Sequence, residues 1–141
     1  MNGAYVHLVF NHFPPILMIV ALIALACRAQ RLAYVLVLVA ALTGVATFAS
    51  GKRAAVYVKT MDGVNREAIV PHQEAAGVAL LTIVLAGVAA VVALMRPRGP
   101  VAGYIAAFLL IIATFATVYT ALLGGRIHHP EVQMRLTGEK R

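Results

Sequence analysis

Five histidines are the residues of this chain best equipped for chemistry. Imidazole can bind a transition metal through a ring nitrogen, serve as an axial haem ligand, or carry a proton near neutral pH. His7 and His12 stand near the start, His72 near the middle, and His128 and His129 near the end, with the carboxylates Glu74 and Glu131 close to two of these positions. The single cysteine, Cys27, permits no intrachain disulfide, and no Cys-x-x-Cys-His run is present for covalent attachment of a c-type haem. Any cofactor must therefore be held noncovalently.

The elements that position these side chains are membrane spans. The 141 residues are 62% hydrophobic and 12% charged, with mean hydropathy +0.88, which excludes an ordinary soluble domain. The net charge of +7 falls between apolar blocks and at the C-terminus. That is membrane-flank chemistry and implies no nucleic-acid partner. Apolar blocks at 5–27, 32–50, 74–95 and 101–123 are each long enough to cross a bilayer. They predict an all-α fold, a single antiparallel bundle of four transmembrane helices over 1–141. The first block lacks the basic leader of a signal peptide and reads as structure. Arg28–Arg31 and Arg96–Pro100 are short enough to make two tight helical hairpins. The longer connection 51–73 has room for short surface helices at Ala54–Val58 and Asn65–Val70, and 124–141 is expected to be an external tail turned over the mouth of the bundle.

With four spans, both termini and the connection 51–73 share one face of the bilayer. The first span is followed by Arg28 and Arg31 and preceded by no charged side chain, which places the hairpins in the cytoplasm and the termini outside. Eight basic residues on the opposite face argue the other way: Lys52, Arg53, Lys59, Arg66, Arg126, Arg135, Lys140 and Arg141.

All five histidines thus belong to one side. At ~1.5 Å per helical residue from the hairpins, His12 lies roughly 22 Å up, His7 about 30 Å, His72 about 35 Å and His129 about 40 Å. His7, His72 and His129 form a near-level layer, and His12 sits deeper, where an ionisable side chain points to function. Pro14 and Pro15 remove two backbone donors and predict a kink beside His12. Pro71 and Glu74 suit the first turn of a helix. Gly124 and Gly125 are suited to ending or bending the fourth helix. Gly44, Gly77, Gly87 and Gly103 permit close approach of another helix or of a flat macrocycle. Two hydroxyl stripes, Thr43, Thr47 and Ser50, and Thr114, Thr117 and Thr120, are expected to face protein.

The run 7–14, His-Leu-Val-Phe-Asn-His-Phe-Pro, resembles the opening of a group of small bacterial four-helix integral membrane proteins of unassigned function. The stretches 50–54, 69–76 and 124–131 are similar to other motifs of that group. The resemblance implies the four-helix fold and a bacterial inner membrane. Its terminal motif usually reads Gly-Gly-x-Ile-Arg-His-x-Glu, so His129 matches the histidine while His128 stands where arginine is expected.

Three functions follow as expectations. The first is a b-type cytochrome with one or two haems, relaying electrons between quinone or quinol and an external redox protein. Its ligands come from His7, His12, His72 and His129, with Glu74 and Glu131 orienting them and Lys52 and Arg126 facing the propionates. The second is a metal site built from the same histidines and carboxylates. The third is a cofactor-free anchoring subunit of a larger membrane complex. Little chain lies outside the spans, so a small electron-transfer subunit is expected rather than a stand-alone enzyme.

Overall fold

The computed structural model describes residues 3–95 and 100–128, with side chains over 5–95 and 100–127. The predicted bundle forms. Its helices are α1 (Gly3–Phe10), α2 (Phe13–Ala26), α3 (Gln30–Val58), α4 (Ile69–Met95) and α5 (Pro100–His128). The spans Tyr5–Ala26, Gln30–Val58, Arg66–Met95 and Pro100–Ile127 are each long and apolar enough to cross a membrane, and the protein is a multi-pass membrane protein.

The first span is divided between α1 and α2 by a turn at Asn11 and His12. Pro14 and Pro15 have no N–H, so the carbonyls of Phe10 and Asn11 lose their intrahelical donors. The next bond along, from Ile16 N–H to the His12 carbonyl, is stretched to 3.4 Å. The expected kink is therefore a break. The α2–α3 hairpin turns through Arg28, which adopts φ +60°.

The element boundaries differ from the sequence expectation on one side of the bundle. Residues 51–58 are not a separate surface helix but the last turns of α3, and α4 begins at Ile69 rather than 74. The connection is thereby shortened to 59–68, including a 3-10 turn at Arg66–Ala68 capped by Asn65 Oδ1 on the Glu67 N–H. The reason is geometric. A helix of 29 residues is about 43 Å long, whereas the hydrocarbon layer is ~30 Å thick, so loss of apolarity after Ser50 marks the edge of the layer and not the end of the helix. Likewise α5 continues through Gly124 and Gly125 to His128, because neither glycine adopts the left-handed conformation that would end a helix.

The core is built from small side chains: Ala21, Ala33, Ala40, Ala86, Ala90, Ala106 and Ala113 are at most 3% exposed, around Met18, Val37 and Leu110. Lipid is as apolar as such a core, so close backbone packing rather than burial from water holds these helices together. Gly87 meets Ala41, Gly44 meets Ile83 and Gly103 meets the Tyr34 hydroxyl, as close-approach glycines should, while Gly77 has nothing within 4 Å. Large side chains such as Leu42, Tyr104 and Phe115 project outward. The alanine-packed region gives way toward the histidine end to a cavity.

Candidate functional site

The cavity has a volume of about 1280 Å³, above the roughly 300–1,000 Å³ of ordinary small-molecule sites. His7, His12 and His72 all line it. His7 and His72 of the expected layer, and the deeper His12, are thus brought to one place from α1, α4 and the α1–α2 turn.

Two of them are held in the same way. His7 Nδ1 lies 3.0 Å from the Thr47 carbonyl of α3, and His72 Nδ1 lies 3.0 Å from the Thr120 carbonyl of α5. A carbonyl oxygen only accepts, so each Nδ1 carries the proton and donates it. In the neutral ring this selects the tautomer whose lone pair is on Nε2. No hydrogen bond to either Nε2 is found among the described residues.

Each imidazole also lies against a glycine four residues beyond its carbonyl partner. A Cβ at Gly51 would meet His7 Cε1 at 3.4 Å, and one at Gly124 would meet His72 Cε1 at 3.1 Å. Both threonine hydroxyls turn back along their own helix, Thr47 to the Thr43 carbonyl and Thr120 to the Ala116 carbonyl, each at 2.8 Å. The two seats are therefore Thr47-x-x-x-Gly51 and Thr120-x-x-x-Gly124. Helical spacing puts residues i and i+4 on one face, so the carbonyl that holds the ring and the gap that admits it stack along that face. The seats differ at Ser50, whose hydroxyl donates 2.9 Å to the Thr47 carbonyl and lies 3.5 Å from His7 Nδ1, whereas Leu123 occupies the corresponding place in α5.

His12 is exposed at the start of α2, where its side chain makes no capping bond. Beside it Asn11 lines the cavity, and its Oδ1 is buried without a hydrogen-bond partner, a state that ordinarily costs about 1–3 kcal/mol. Glu74 is exposed and lines the same wall. Lys52 lines it as well, but Arg126 does not, which separates the two basic residues expected near a ligand's carboxylates. His129 and Glu131 lie outside the described residues, as does the side chain of His128.

This donor set has a definite chemical capacity. Among the described residues no group of three or more His, Cys, Asp or Glu side chains converges as a metal site requires. Two imidazoles with unengaged Nε2 atoms would suit a metal that brings further ligands of its own, and a wall of Pro14, Pro15, Leu80 and Ile83 suits an apolar body.

Sequence reading identified His7 and His72 but not their seats. Gly51 and Gly124 appeared only within motifs or as helix-ending glycines, and Thr47 and Thr120 only as packing hydroxyls. The signal that could have found them is the Thr-x-x-x-Gly spacing at the same end of both helices. No family model, curated protein or solved structure matches the chain.

Proposed function

We propose that the protein is a haem b-binding electron-transfer subunit of the bacterial inner membrane, in which His7 and His72 would hold one haem. The observation that supports this most is the matched pair of imidazoles on a single cavity, each with Nδ1–H committed to a main-chain carbonyl. That second contact orients the ring, as for metal-binding histidines generally. Two ligands from two hairpins meeting at one cavity favour a single haem over two.

When bound, haem b supplies a reversible one-electron couple. The chain's own contribution is to hold two rings rigidly, keep water from the apolar floor, and expose an edge at the end of the bundle where a redox partner can approach. Electrons would come from a quinol reaching the cavity through the lipid. His12 and Glu74, exposed on the same wall, are the groups placed to take its protons. In this reading the termini and the cavity lie on the external face.

The test is the absorption spectrum of protein purified in detergent after expression with excess haem. A Soret band and a pyridine haemochrome at one haem per chain are expected. Protein free of both would overturn the proposal.

A further inference from the structure

The wall of the cavity changes character along the helix axes. Toward the α2–α3 hairpin it is apolar, from Pro14, Gly44 and Ile83. His7 and His72 occupy the middle. Toward the connection 59–68 it gains the polar groups of Tyr5, Lys52 and Tyr57 among apolar residues such as Val58 and Met61. Along α3 the lining runs from Gly44 and Thr47 through Phe48, Gly51 and Lys52 to Val58, and Lys52 is its one charged side chain and stands just beyond the His7 seat.

Lys52 directly follows Gly51, the residue against which the His7 ring is seated. Its Cα is therefore only about 1.5 Å farther along the axis, and its four-methylene stem can carry the ammonium toward the open end. Among the described residues that line the cavity it is the one lysine or arginine. Arg53, Lys59, Arg66 and Arg126 add positive charge at this end, against Asp62, Glu67 and Glu74. Of these acids only Glu74 reaches the cavity wall, two residues past His72 on the facing helix.

We infer that Lys52 is a positioning residue that pairs with the carboxylates of the ligand, so that haem enters this cavity with its apolar edge toward Pro14 and Ile83 and its propionates toward Lys52. The inference rests on the haem reading. It adds an orientation, and it assigns the pairing to Lys52 and not to Arg126.

The experiment titrates purified full-length apoprotein with haem b and with its dimethyl ester, following the Soret band. The ester has the same ring and iron but no carboxylates. Wild-type protein is expected to prefer the free acid by about fivefold, the scale of a solvent-exposed charge pair, with the preference shrinking as salt is raised. Lys52→Met should bind both forms with the affinity of the wild type for the ester, and Lys52→Arg should restore the preference. Unchanged ester binding by Lys52→Met serves as its folding control. If Lys52→Met keeps the preference, or loses affinity equally for both ligands, the pairing is wrong while the haem site stands. If neither ligand produces a Soret band with the wild type, the haem reading falls and this inference falls with it.

Discussion

The two hairpins of the bundle, residues 5–58 and 66–127, solve one problem on different helices. In the second, His72 rides on a continuous α4, whose proline falls in its first turn, where no N–H is needed. In the first, His7 rides on the eight-residue α1, cut from α2 by prolines well inside the span. Yet both rings are held at 3.0 Å by a threonine carbonyl and lie against a glycine one turn on. The seat therefore belongs to the receiving helix, α3 or α5, and serves a histidine on a broken helix as it does one on a continuous helix. What the break adds is local: it turns Asn11 and His12 onto the cavity wall, where the second half has only Ala76 and Gly77 at the corresponding distance from its histidine.

If the two seats are equivalent, removing either ring should do equal damage. His7→Ala and His72→Ala are each expected to abolish the low-spin spectrum and weaken haem binding by at least the order of a hundredfold, the upper range for loss of an orienting contact alone. Haem titration of both variants checks this. A loss confined to one of them would break the equivalence and make the other histidine a structural residue.

The glycines should then separate the seats. An added methyl at Gly124 would stand 3.1 Å from His72 Cε1 and 3.3 Å from Nδ1, so the ring must move, at a cost of about 1–3 kcal/mol. At Gly51 the nearest atom is 3.4 Å away, and the roughly 1 kcal/mol gained by alanine in a helix offsets a mild contact. Gly124→Ala should lower the melting temperature and perturb the spectrum, and Gly51→Ala should do little of either. The reverse order in thermal denaturation would show that the rings are not seated as described.

The smallest effect tests the break. The double substitution Pro14→Ala and Pro15→Ala restores the donors for the Phe10 and Asn11 carbonyls, and helicity by circular dichroism should rise. Joining α1 to α2 also turns His7 relative to Thr47, and haem affinity should fall about tenfold, the lower range for a disturbed orienting bond. An unchanged affinity would mean that α1 holds its place without the break.

Much of this was legible because apolar blocks and prolines act locally. The four spans, the kink after His12 and the one-sidedness of the histidines follow from residue types in order. The ends of α3 and α5 were not legible, since a helix persists by its own hydrogen bonds past the point where its side chains cease to be apolar. Nor were the seats. Thr47 and Thr120 contribute main-chain oxygen, which every residue owns, and Gly51 and Gly124 contribute the absence of a side chain.

By itself, then, the order of residues determined that the chain crosses a membrane on four helices and gathers imidazoles at one end. Hydropathy and proline geometry act over a single helix and need no knowledge of neighbours. Which imidazoles are held, in which tautomer, and beside which glycines was decided only by the tertiary structure. Those facts are contacts across 40 and 48 residues of chain, set by how α1 meets α3 and how α4 meets α5.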